Sequence, residues 1–124
     1  MIKINHMMHT GLIVKDLARS RKFYEDLLGF KPNPNRPDFG FPGVWYDIGA
    51  NQVHLMVVPN PYENIQRPEH GGRDTHIAFS VDDVAPVRAA LDAAGVPYTM
   101  SRSGRAALFC RDPDGNAFEF SAVK

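Results

Sequence analysis

Four side chains able to bind a metal stand at matching places in a sequence that is written twice. Residues 9–18 read HTGLIVKDLA and residues 76–85 read HIAFSVDDVA. Each copy opens on a histidine, alternates as a strand and turns at an aspartate. The ends of the two halves align as well. WYDIGANQVHLMVV (45–58) lies over CRDPDGNAFEFSAV (110–123), with Asp47 over Asp112 and Asn51 over Asn116. That register sets His54 over Glu119. Each half therefore carries two candidate ligands, His9 and His54, then His76 and Glu119. Three imidazoles and one carboxylate suit a first-row divalent ion (Ni, Zn, Mn, Fe or Co), with no choice among them.

Strand alternation says which way these groups face. In 9–14, Thr10, Leu12 and Val14 share one face, and His9, Gly11 and Ile13 the other. In 53–58, Val53, Leu55 and Val57 oppose His54, Met56 and Val58. In 76–81, Ile77, Phe79 and Val81 oppose His76, Ala78 and Ser80. In 117–122, Phe118 and Phe120 oppose Ala117, Glu119 and Ser121. The bulky face should pack on helices. The small or polar face holds all four candidates and reads as a cavity lining, because imidazole and carboxylate are costly to bury without partners.

The elements that position them follow the same repeat. Asp16 is the expected N-cap of a helix whose stripe is Leu17, Ser20, Phe23, Tyr24, Leu27 and Leu28, closed by Gly29. Strands are expected near 30–32, 44–48 and 52–58. After strand 76–81 a helix should run from Asp83 to Ala94, with Val84, Val87 and Leu91 inward, Pro86 harmless in the first turn and Gly95 closing it. Strands near 97–101, 106–110 and 117–122 follow, with a hairpin turn at 112–115. Each half is strand, helix, then three strands. The expectation is one domain over 1–124: module one over about 5–58, a linker at 59–75, and module two over about 76–124. Units of this size bury too little surface alone, so they should share a core or exchange halves in a dimer. The polar, breaker-rich linker is long enough for either.

Fourteen acidic and fourteen basic residues leave no net charge, so neither a nucleic-acid tail nor a membrane-surface patch is expected. The opening residues lack a long apolar stretch, so neither a secretion signal nor a membrane span is expected. The single Cys110 permits no internal disulfide, fits a reducing compartment and reads as a packing residue. The expected location is the cytoplasm. His6 has the wrong parity for the site. His70, in the linker, is expected to be exposed without a role. Arg67, Arg73, Arg102 and Arg105 lie in loops and could fork onto an anionic group, although each taken singly reads as solvated. Trp45, Tyr46 and Met56 fit a pocket wall or the core equally well.

Residues 9–30, HTGLIVKDLARSRKFYEDLLGF, resemble the first-half signature of glyoxalase I. THIAFSV (75–81) and FCRDPDGNAFEF (109–120) resemble the second-half motifs of the same group, the vicinal oxygen chelate superfamily. It contains glyoxalase I, extradiol dioxygenases, fosfomycin-inactivating enzymes and bleomycin-binding proteins. The resemblance covers nearly the whole chain. It implies an α+β fold of two βαβββ modules forming a curved mixed sheet around a metal-binding cup. It also implies a homodimer with exchanged modules, His9 and His54 coming from one chain and His76 and Glu119 from the other. His9, His76 and Glu119 match the family's ligand positions, whereas glyoxalase I has a carboxylate where His54 stands. The implied chemistry is chelation of two neighbouring oxygens of a small substrate. In a glyoxalase-type lyase or isomerase, Glu119 would move the proton between adjacent carbons. An extradiol dioxygenase would use His9, His76 and Glu119 as an Fe(II) triad, with His54 off the metal as an acid–base group. A non-catalytic, antibiotic-binding role is the third reading.

Overall fold

The computed structural model describes residues 1–122. Period-two alternation builds the first sheet: β1 (His9–Ile13), β2 (Lys31–Pro32), β3 (Gly43–Ile48) and β4 (Asn51–Met56), in the order β1-β4-β3-β2. The second half repeats it with β5 (His76–Ser80), β6 (Tyr98–Met100), β7 (Ala107–Arg111) and β8 (Ala117–Ser121), in the order β5-β8-β7-β6. In each sheet the first strand pairs parallel with the last, and the remaining pairs are antiparallel. The strands form two four-stranded sheets, each hydrogen-bonded within its own module. The result is an α+β fold of two strand–helix–three-strand units.

The bulky faces pack inward as parity predicts, although β7 and β8 are buried on both faces. Val44, Tyr46, Val53 and Leu55 of the first sheet, and Leu108, Cys110, Phe118 and Phe120 of the second, are buried in one cluster with Phe23, Tyr24 and Leu91. Both modules thus share a core. Each such side chain contributes about 1.5–3 kcal/mol by leaving water. Phe30 meets Phe79 edge-on at 5.6 Å and Tyr24 meets Phe118 at 5.8 Å, joining the halves through aromatic contacts.

The first helix departs from expectation. Asp16 caps it, its carboxylate accepting from the Arg19 N–H, and α1 (Leu17–Arg21) begins as predicted. From Lys22 to Leu27 it widens into a π turn, with the Leu28 N–H donating back five residues to Phe23. Phe23 and Tyr24 are both buried within this wider turn. Gly29 closes it at φ +76°. The second helix, α2 (Ala85–Ala94), starts two residues later than predicted because the Asp83 carboxylate caps the Ala85 N–H; Gly95 ends it at φ +67°. The linker carries one 3-10 turn, Gly71–Arg73. Its end is tied down by Asp74, which accepts from Arg67 (3.0 Å) and Arg111 (2.8 Å). Among the described residues no helix is long and apolar enough to cross a membrane.

Candidate metal centre and its comparison with known proteins

All four sequence-selected residues lie on the sheet faces turned away from the core, and they fall into two pairs. His54 pairs across the ladders with Gly11 and Trp45, so His9, Gly11, Trp45, Gln52, His54 and Met56 share one face. On the other sheet Glu119 pairs with Ala78 and Phe109, and His76 with Ala117. Within one chain the two pairs do not meet: among the described residues no three His, Cys, Asp or Glu side chains gather closely enough to hold an ion.

The second-sheet pair has the geometry of two donors to one centre. His76 Nδ1 lies 2.9 Å from the Asp74 carbonyl oxygen. A carbonyl only accepts, so Nδ1 carries a proton, and in the neutral ring that a metal binds Nε2 has the lone pair. Nε2 is 3.3 Å from Glu119 Oε1. Two ligand atoms bonded at about 2.1 Å to one ion are about 3.0–3.4 Å apart. Two acceptors facing each other at this separation fit a cation between them. A carbonyl behind the ligating imidazole is the usual way to fix its tautomer. The other carboxylate oxygen of the largely buried Glu119 is held by Arg105.

The first-sheet pair is arranged differently. Trp45, His54 and His9 form a stack, with centroids 4.2 Å apart at 7° and then 4.1 Å apart at 15°. An imidazole lone pair lies in the plane of its ring. Two rings in parallel stacked planes cannot both aim lone pairs at one ion, so His54 joins His9 on a metal only by turning out of the stack. His54 Nε2 is meanwhile engaged by Gln52 Oε1 at 2.8 Å. Burial, then the neighbouring His9 and Arg36, push the His54 pKa below its ordinary value. A cavity of about 190 Å³ opens beside the stack, lined by His9, Arg36, Phe39, Trp45, His54 and Met56. Arg36 lines it with its guanidinium over the Phe39 and Phe41 rings at 5.2 and 5.4 Å. A larger cavity of about 830 Å³ lies beneath the linker, lined in part by Arg19, Tyr62, Arg67 and Asp114. It contains none of the four candidates, so size alone does not locate the chemistry.

Other expectations are corrected for His70, Arg67 and Arg105, met for Cys110 and resolved for Trp45, Tyr46 and Met56. His70 is buried, not exposed: its Nδ1 lies 2.6 Å from Thr99 Oγ1 and its ring meets Phe109 edge-on at 4.8 Å. Its pKa is lowered by burial, then by Arg102, Arg73 and His76. Arg67 and Arg105 are ion-paired, with Asp74 and Glu119. Trp45 and Met56 line the first cavity and Tyr46 belongs to the core. Cys110 is buried packing, its thiol pushed up to about 12 by burial and the Asp112 charge. Arg36, Gln52 and Arg111 went unselected. Gln52, two residues from His54 on the same strand, was within reach of the parity rule. The loop-borne Arg36 carried no periodic signal.

The family model described as the Glyoxalase/Bleomycin resistance protein/Dioxygenase superfamily matches residues 3–120. The chain belongs to this superfamily. Lactoylglutathione lyase of Haemophilus influenzae is 32% identical over 123 residues, covering 92% of this chain and 90% of that protein. The uncharacterized protein YaeR of Escherichia coli is 32% identical over 130 residues, covering 96% and 97%. The superfamily fold is also seen in a variant of the fosfomycin resistance protein FosX from Listeria monocytogenes, solved with Mn(II) and 1S,2S-dihydroxypropylphosphonic acid. It superposes with a TM-score of 0.78 at 20% identity, covering 98% of this chain and 95% of that one.

Proposed function

We propose that this chain is a divalent-metal-dependent enzyme of glyoxalase type, a lyase or isomerase acting on a small substrate with two neighbouring oxygens. Its site is formed by His9 and His54 of one copy and His76 and Glu119 of a second, in a homodimer with exchanged modules. The observation that carries this reading is the His76–Glu119 pair, two lone-pair donors 3.3 Å apart with the imidazole tautomer fixed from behind. That each chain holds its four candidates as two separate pairs supports the two-copy site. The relatives named lactoylglutathione lyase support the reaction class. The lone, buried Cys110 fits a cytoplasmic setting.

A divalent ion bound there would act as a Lewis acid on the two substrate oxygens. The remaining work belongs to the chain. The Asp74 carbonyl accepts from His76 Nδ1, so the neutral ring presents Nε2 to the ion, and Arg105 holds one Glu119 oxygen while Oε1 faces His76. Glu119 is the candidate base for moving a proton between adjacent carbons. Trp45, Phe39 and Met56 give the cavity an apolar wall. One observation favours a second reading: the stack that turns His54 away from His9's ion leaves a two-His, one-carboxylate set, as Fe(II) extradiol dioxygenases use.

Elemental analysis of protein purified without added metal should find one divalent ion per chain, and His76→Ala should lose it while circular dichroism stays unchanged. Retained metal in that variant overturns the assignment. Ni- or Zn-loaded protein should turn over a hemithioacetal of glutathione. Catechol cleavage by Fe(II)-loaded protein under oxygen, without hemithioacetal turnover, would select the second reading. Light scattering should give a dimer at micromolar concentration; a monomer refutes the shared site.

A further inference from the structure

We infer that Gln52 is a positioning residue that fixes the tautomer of His54, making it a neutral proton acceptor through Nδ1 beside the metal rather than a fourth ligand. The inference deepens the function proposed above and rests on His54 belonging to that site.

The polarity of the contact is set two steps away. Asp47 sits opposite Gln52 in the β3–β4 ladder. Its carboxylate accepts from Gln52 Nε2 at 2.9 Å and from Asn33 Nδ2 at 3.1 and 3.2 Å. These two side-chain donors hold its pKa below the ordinary carboxylate range, so at neutral pH it only accepts. The Gln52 amide must therefore present its NH2 to Asp47; turned over, it would set carbonyl oxygen against carboxylate. Its oxygen then faces His54 Nε2 at 2.8 Å and can only accept. The proton sits on Nε2, and the lone pair is left on Nδ1.

The stack completes the restraint. Trp45 and His9 enclose the His54 ring in near-parallel planes. To ligate the ion that His9 holds, His54 would have to leave Trp45 and break the Gln52 hydrogen bond together. The relay is also peculiar to this half. Ala117 stands in the repeat where Gln52 stands, and Glu119 where His54 stands. A carboxylate has no tautomer to fix; an imidazole does.

Long-range proton–nitrogen correlation spectra of the 15N-labelled, metal-free protein at neutral pH test this directly. Wild-type His54 should show a protonated Nε2 and a bare Nδ1. In Gln52→Leu the two nitrogens should move toward the averaged shifts of a mixed tautomer. Asp47→Ala, at an exposed position, should do the same although Gln52 remains, because the amide is then free to turn. A Gln52 with a merely structural role would leave the tautomer unmoved. Zinc titration should show that His54→Ala keeps one-to-one binding with a loss of no more than about 10–100-fold, the range of a supporting group. A bare Nε2 in the wild type, an unchanged tautomer in both variants, or loss of stoichiometric zinc in His54→Ala overturns the inference. Since the spectra need no metal, a correct tautomer in a protein that binds none would sink the metal reading and leave the relay standing.

Discussion

Replacing Tyr24 by phenylalanine tests how the two modules are joined. The Tyr24 hydroxyl, fully buried on the first module's helix, donates to Asp112 Oδ2 of the second module at 2.5 Å. Asp112 is itself buried and also accepts from Asn116 Nδ2 (2.8 Å) and from the Asp114 and Asn116 N–H groups (both 2.9 Å). Burial raises both pKa values, and each group's hydrogen bond favours the arrangement of phenol as donor and carboxylate as acceptor. A hydrogen bond to a charged group is worth about 1.5–3 kcal/mol. Three other donors remain on Asp112, so the expected loss is about 2 kcal/mol. With about 2.1 cal/mol/K of unfolding entropy per residue, the 124-residue chain carries about 0.26 kcal/mol/K, and Tm should fall by about 8 °C. The phenol stabilises the ionised carboxylate, so the loss should be full where Asp112 is charged and shrink on acidification as it takes up its proton. Scanning calorimetry across pH reads both. A Tm change under about 2 °C, or one that grows toward low pH, would refute the reasoning.

Asp74 gives a second pH test. Burial works to raise its pKa, but hydrogen bonds from Arg111 and Arg67 outweigh this and hold it at about 2, below the ordinary 3.8. A carboxyl so lowered contributes stability that is complete above about pH 4 and lost as pH falls through about 2. Asp74→Asn should flatten that part of the urea-midpoint profile, and an unchanged slope would contradict the pairing. Gly43→Ala should cost about 1–3 kcal/mol in urea unfolding, because a Cβ there would collide with the Leu55 carbonyl oxygen and crowd the Arg36 guanidinium. A neutral effect would mean the strands can part there at no cost.

Strand parity carried most of the fold. A two-residue period is unambiguous when one face is Val53, Leu55, Phe118 and Phe120 and the other is His54, Ala117 and Glu119, so the separation of the four candidates from the core face was legible. The π turn was not. Leu17, Ser20, Phe23 and Tyr24 fit an ordinary helical stripe, and the widening shows only when Tyr24 must reach Asp112, 88 residues away. His70 misled because a Pro- and Gly-rich linker reads as solvated; its burial depends on Thr99 and Phe109 from the other end of the module. Arg105 meets Glu119 across a strand and a loop, which no local spacing announces. The stack of Trp45, His54 and His9 joins three strands whose order in the sheet differs from their order in the chain, so only the topology brings it into view.

The division of the candidate ligands between two sheets has a genetic consequence. In a dimer with exchanged modules, a chain damaged at His9 and a chain damaged at His76 are each inactive as homodimers. Mixed together, they assemble one cup from two damaged halves and another from two sound ones. Heterozygous pairs of loss-of-function alleles would then rescue each other only when their lesions fall in opposite repeats. The map of that complementation would divide within the linker.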